Sequence, residues 1–170
     1  MTAIIETERL LLREFTMEDH AAVYAFGSHP EVQRYTGDAL LPSLESAQAL
    51  IQNVWFKDYK KHGYGRWATI YKPDNKLIGF AGLKYLPEFD ETDIGFRFLP
   101  EYWGKGLATE ASKEIITYGF ETLDLQKIIA IASAANVGSC KVLEKSGLTL
   151  YKTDAYDGDG KEYNWYKIEK

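Results

Sequence analysis

A single cysteine, Cys140, stands in 170 residues, and that scarcity excludes an internal disulfide and any cysteine-based zinc cluster. Histidine is nearly as rare: His20, His29 and His62 share no metal-ligand spacing, so no metal is expected. Positive charge is also short. With 20 Lys and Arg against 25 Asp and Glu, the net charge is −5, which argues against a general binder of nucleic acid or anionic membrane. No long hydrophobic run appears, and Met1–Leu12 is broken by Glu6, Glu8 and Arg9, so neither a signal peptide nor a spanning segment is expected. A cytoplasmic location follows as the expectation. Repeats, linkers and low-complexity stretches are missing too. At 45% hydrophobic residues, the chain reads as one domain, residues 1–170, with a core of its own.

What is present centres on residues 92–109, Thr-Asp-Ile-Gly-Phe-Arg-Phe-Leu-Pro-Glu-Tyr-Trp-Gly-Lys-Gly-Leu-Ala-Thr. A strand from Asp93 to Leu99 is expected to end at Pro100, which lacks an N–H. After a short loop, Gly104 and Gly106 open a helix running through Glu110, Ile115 and Tyr118. The helix start leaves amides without partners at the positive end of a dipole, which suits an anion and most naturally a phosphate. Spacing separates the phosphate-binding designs. A P-loop would need Gly and a hydroxyl where Leu99 and Gly106 stand, and a Rossmann fingerprint would need Gly or Ala at Thr109. A nucleotide- or NAD-binding regulator is thereby disfavoured.

The remaining elements follow from patterning. Arg9–Phe15 is an apolar run between charges and reads as a strand. Thr16-Met-Glu-Asp19 resembles a capping box ahead of a short helix that stops at Gly27. Residues 30–37 form a loop or a helical turn. Ser43 starts a longer helix with Ala47, Ile51, Val54 and Trp55 on one face, ending at His62-Gly63. Strands at Arg66–Tyr71, Leu77–Tyr85 and the central stretch form an antiparallel meander. Lys127–Ala134 has parallel-strand character, Asn136–Ser146 reads as a helix stopped by Gly147, and Leu148–Lys152 with Tyr163–Ile168 flank a glycine-rich turn at Tyr156–Gly160. The expected class is α/β (α+β): a mixed, mostly antiparallel sheet of about seven strands with flanking helices, in the order β-α-α-β-β-β-α-β-α-β-β.

This order, together with two motifs, resembles the GNAT acetyltransferases. The family's acyl-CoA loop, Gln/Arg-x-x-Gly-x-Gly/Ala, falls on Trp103, Gly104, Lys105, Gly106, Leu107 and Ala108, with Trp103 in place of the Gln or Arg. Asn136-Val-Gly-Ser139-Cys-Lys-Val-Leu-Glu-Lys-Ser-Gly147-Leu148 is similar to the family's Asn-x-x-Ser/Ala…Glu-Lys-x-Gly-Phe helix. Ile78–Leu83 and Gly106-x-Ala-Thr-Glu110-Ala111 resemble the branch acting on ribosomal-protein N-terminal amines and related small amines.

The resemblance implies splayed central strands with a bulge in the central one, and acetyl-CoA as acyl donor. It implies backbone pairing of the pantetheine arm by Arg97, Phe98 and Leu99, with a freed N–H there for the oxyanion. The pyrophosphate would lie on Gly104, Lys105, Gly106, Leu107, Ala108 and Thr109, with Trp103, Asn136 and Ser139 completing the cofactor set. Transfer would be direct, without a covalent enzyme intermediate. Many members carry a tyrosine acid where this chain has Leu143, so the proton donor is expected at Ser139; the expected base is Asp93, with Glu91 behind it. Tyr35, Trp67, Asp93 and Tyr163 are expected to line the acceptor pocket. The acceptor would be a protein N-terminus or a small-molecule amine, and the chain a monomer or homodimer. The alternative is a catalytically inactive acyl-CoA-binding module.

Plainer roles stand beside these. Asn136 serves as a helix N-cap in any case. Leu107, Ala111, Ile115 and Tyr118 form a core stripe, Glu88, Asp90, Glu91 and Asp93 suit a solvated turn, and Cys140 suits packing.

Overall fold

A computed structural model describes residues 2–155, Gly158 and 160–170. The expected turn at Tyr156–Gly160 therefore lies largely outside the described residues. Among the described residues, eight strands form one sheet in the order β1-β2-β3-β4-β5-β6-β8-β7. They are β1 (Ile5–Glu6), β2 (Leu10–Arg13), β3 (Arg66–Tyr71), β4 (Lys76–Leu86), β5 (Glu91–Phe98), β6 (Lys127–Ser133), β7 (Thr149–Asp154) and β8 (Tyr163–Glu169). The strand beyond the expected seven is β1, whose two residues pair with Leu11 and Leu12 and are too few to show alternation.

The helices are α1 (His20–Gly27), α2 (Pro30–Gln33), α3 (Leu44–Leu50), α4 (Phe56–His62), α5 (Leu107–Glu121) and α6 (Val137–Lys145). A π-helical stretch, Ile51–Trp55, joins α3 to α4 as one rod. Ser43 caps this rod by accepting from Ser46 N–H at 3.2 Å, and Gly63 ends it in a left-handed conformation at φ 77°.

Strand alternation divides the core between two faces. On one, Phe15 stacks on Trp55 at 4.1 Å, while Trp55 and Phe26 meet Phe80 edge-on. On the other, α5 buries Leu107, Ala111 and Ile115, and Tyr118 meets Trp67 at 5.5 Å and 89°. The expected core stripe of α5 is thus the one that packs.

Register decides where the sheet can open. Strand β5 pairs with β4 without interruption from Glu91↔Leu86 to Phe98↔Gly79. The bulge expected in the central strand does not interrupt that ladder. The opening arises on the other side: β6 pairs with β8 along its whole length, yet among the described residues it meets β5 at one position, Asp93↔Ile129. Beyond that bridge the two parallel strands diverge.

Glycine is required on β4 to hold β5 this close. At Gly79, φ is +155° and an added Cβ would lie 1.8 Å from the Arg97 carbonyl oxygen. Gly79→Ala is therefore expected to lower stability by about 3 kcal/mol or more. Urea unfolding measures this, and a loss below about 1 kcal/mol would contradict the close approach.

Candidate active site

A cleft of about 720 Å³ runs between the diverging strands. Its walls include Ile94, Phe96 and Phe98 of β5, Ala130, Ala132 and Ser133 of β6, and the first turns of α5 and α6. A second cavity of about 660 Å³ adjoins it and shares Tyr35, Asp38, Ser133 and Tyr163.

Hydrogen-bond phase determines which backbone groups face the gap. Leu99 N–H donates to Ile78 O at 2.9 Å, in line with the β4–β5 register. Alternation then turns the amides of Arg97 and Leu99 toward β4, and those of Phe96 and Phe98 toward the gap. Of the expected trio Arg97, Phe98 and Leu99, only Phe98 presents its backbone to the cleft, and Phe96 joins it. Leu99 does not line the cleft; Arg97 does, with its amide turned toward β4. Trp103, half exposed, donates its indole N–H to the Phe98 carbonyl at 2.7 Å. It thereby satisfies an acceptor on the open side of β5 and lies at the cleft wall.

At the end of β5, Pro100 starts a single turn of 3₁₀ helix and the chain bends into the glycine pair. Gly104 and Gly106 have φ of 71° and 79°, and an added Cβ would find open space at Gly104 and only the Arg9 guanidinium, 3.6 Å away, at Gly106. Their glycines serve the left-handed backbone rather than space. Gly106 is the N-cap of α5, and Glu110 N–H is the first to bond back, to Gly106 O at 3.0 Å. The amides of Leu107, Ala108 and Thr109 lack intrahelical partners and lie at the positive end of a 15-residue helix. Gly104, Gly106, Leu107, Ala108 and Thr109 all border the cleft. Lys105 does not: its carbonyl accepts from Arg9, and its ammonium lies over the Tyr102 ring. The residues present thus fit a diphosphate at the mouth and an extended thiol-bearing arm along the gap.

On the opposite wall, Asn136 caps α6 by accepting from Ser139 N–H at 3.2 Å. A backbone N–H can only donate, which assigns the Asn136 oxygen to that bond and its NH₂ to Ser139 Oγ, at 2.9 Å. With its oxygen accepting, the Ser139 hydroxyl hydrogen is available to the cleft that Ser139 lines. Leu143 borders the same cleft and is buried, with no hydroxyl to offer. Cys140 points elsewhere, its Sγ 3.7 Å from Ser133 O, in keeping with packing.

Asp93 sits at the β5–β6 bridge, at the head of the gap, and is 8% exposed. Burial pushes its pKa above the ordinary carboxylate value, against the opposing pull of Arg66, Lys84 and Arg97. Arg66 Nη2 lies 2.9 Å from its Oδ1. Glu91, the expected second carboxylate, is engaged by Lys127 at 2.7 Å. Tyr35 and Tyr163 border both cavities. Trp67 is not brought there. It is wholly buried against Tyr118, because alternation along β3 turns it to the α5 face while Arg66 turns to the cleft.

Arg66, Lys84, Phe96 and Tyr102 border the cleft without having been singled out in the sequence. The pairing of Arg66 with Asp93 spans two strand connections, so only the register brings them together. For Phe96 the available signal was strand alternation, whose phase the sequence leaves open.

A mixed sheet parted between two parallel strands, with a diphosphate-type helix start at its mouth, defines an acyl-CoA acyltransferase architecture. The family model for the acetyltransferase (GNAT) domain matches residues 9–149, and the chain belongs to that family. GNAT acetyltransferases use acetyl-CoA as donor. The uncharacterized N-acetyltransferase YoaA of Bacillus subtilis is 35% identical over 148 residues, 86% of this chain and 83% of that protein. An acetyltransferase of the GNAT family from Bacillus anthracis superposes with a TM-score of 0.83 at 27% identity, covering 97% of both chains. RimL, a ribosomal L7/L12 α-N-protein acetyltransferase solved with coenzyme A, shares the fold at a TM-score of 0.84 and 17% identity, covering 99% of this chain and 98% of its own.

Gly106→Glu places a carboxylate in the cradle and is expected to abolish measurable coenzyme A binding while cooperative melting persists. Calorimetry checks this, and unchanged affinity in the folded variant would overturn the cradle assignment.

Proposed function

We propose that the protein transfers the acetyl group of acetyl-CoA directly to a primary amine, either a protein N-terminus or a small-molecule amine. The observation carrying this reading is the parted β5–β6 pair, whose Phe96 and Phe98 amides face a gap between the α5 cradle and Asp93. Acetyl-CoA supplies a thioester carbonyl and a thiolate leaving group when bound. An amide of Phe96 or Phe98 is placed to hold the carbonyl oxygen as negative charge develops there. The α5 amides and the two glycines hold the diphosphate, so that the reacting end reaches the narrow part of the gap.

Proton traffic divides between two walls. Ser139, with its oxygen engaged by Asn136, donates its hydroxyl proton toward the leaving sulfur. Asp93, oriented by Arg66 and raised in pKa by burial, accepts the ammonium proton directly or through water. A neutral amine can then attack. The Asp93 position supports an acceptor entering from the Tyr35 and Tyr163 side, where the second cavity opens.

The test is a thiol-release screen over N-terminal peptides, aminoglycosides, polyamines and amino acids, extended to two variants. At least one amine class is expected to raise thiol release well above that with acetyl-CoA alone; failure of the whole panel would favour an inactive binding module. Ser139→Ala is expected to lower kcat roughly 10²-fold with little change in coenzyme A affinity. Lost affinity with kcat preserved would make Ser139 a binding residue. Since the amine must lose a proton to a carboxylate whose pKa lies above the ordinary value, kcat/KM is expected to rise with pH toward a plateau. Asp93→Asn should flatten or displace that rise, and an unchanged profile would remove Asp93 from the chemistry.

A further inference from the structure

The cradle is tied to a part of the chain far from it. Arg9, in the turn between β1 and β2, donates Nη1–H to the Lys105 carbonyl at 2.9 Å, between the two left-handed glycines. Its Nε–H donates to Glu110 Oε2 at 2.7 Å, and its backbone N–H donates to Glu110 Oε1 at 2.9 Å. Thr7 Oγ1 adds a bond to the same Oε1 at 2.7 Å. Glu110 therefore receives donors at both oxygens while standing in the first turn of α5, beside the amides that face the cleft. An unneutralised carboxylate there would repel a diphosphate, although it suits the helix dipole.

We propose that Arg9 is a positioning residue for the diphosphate of coenzyme A: it presets the Gly104–Gly106 backbone through Lys105 and screens Glu110 from the ligand. One guanidinium performs both tasks because its rigid planar fork holds Nε on the carboxylate and Nη1 on the carbonyl in one fixed geometry, which the freely rotating donors of an ammonium do not impose. The inference rests on the cradle reading above. The two are separable: if the cradle itself is misplaced, Gly106→Glu retains affinity, whereas if only Arg9 is misjudged, Gly106→Glu loses affinity and Arg9→Ala keeps it.

The control is Lys72, whose ammonium bonds the Thr7 carbonyl at 2.6 Å and Glu6 at 2.7 Å. It braces the same N-terminal turn without touching the cradle. Calorimetric Kd for coenzyme A, melting temperature and kcat at saturating acetyl-CoA are measured for Arg9→Ala, Arg9→Lys and Lys72→Ala. Arg9→Ala is expected to raise Kd roughly 10- to 100-fold, with kcat changed less than about twofold. Arg9→Lys keeps a charge and the stem, so it should recover melting temperature but not affinity. Lys72→Ala should lower melting temperature and leave Kd near wild type. The proposal is overturned if Arg9→Lys binds like wild type, if Arg9→Ala folds and keeps its Kd, or if Lys72→Ala weakens binding as much as Arg9→Ala.

Discussion

Two neighbouring parallel strands that part after one bridge are the constraint on which this structure depends. Interior strands ordinarily satisfy each other's amides and carbonyls, and leaving them unpaired away from water is costly. Here β5 keeps a complete ladder to β4 and gives up its ladder to β6, while β6 takes all its remaining pairing from β8. The cost is partly offset locally, since the Trp103 indole N–H takes the Phe98 carbonyl. What stays open is a slot whose walls are backbone donors and apolar side chains, which suits a ligand arm that can pair as a strand would.

The groups proposed to act are placed by that slot rather than by one another. Asp93 marks its closed end, the α5 start its mouth, and Ser139 the opposite wall. Near Asp93 the charges are matched: Arg66 pairs with it at 2.9 Å, Lys84 pairs with Asp58 at 2.9 Å, and Arg97 pairs with Asp38 at 2.7 Å. The last of these, with Arg97 Nη1 on Gln33 Oε1 at 3.1 Å, ties the segment after α2 to the central strand. That segment carries Tyr35 between the two cavities, so the wall they share is shaped by a surface segment held to the sheet.

Features legible in the sequence were those whose cause is local. Pro100, the glycine pair, the Ser43 and Asn136 caps and the α5 stripe each announce themselves within a few residues, because caps, turns and amphipathic faces are short-range physics. The fold order was legible for the same reason, with β1 missed for its brevity. Trp67 was misplaced because a strand's alternation is visible while its phase relative to the sheet is not. Assigning the backbone groups of Arg97 and Leu99 to the gap failed likewise, since hydrogen-bond phase follows from the β4 register. Arg66 and Arg9 escaped notice because their partners lie 27 and 101 residues away, reachable only through the folded sheet. Side-chain roles that depend on such pairings are written in topology, not in motif spacing.

The central claim is that the parted strands and the α5 start form one ligand track. It is tested most directly by titrating the protein with coenzyme A and following backbone amide resonances by ¹H–¹⁵N NMR. The account predicts the largest shifts at the amides of Phe96, Phe98 and residues 104–109, saturating together at one affinity, with those of Arg97 and Leu99 less affected. Saturable binding that leaves the Phe96 and Phe98 amides unmoved would contradict it.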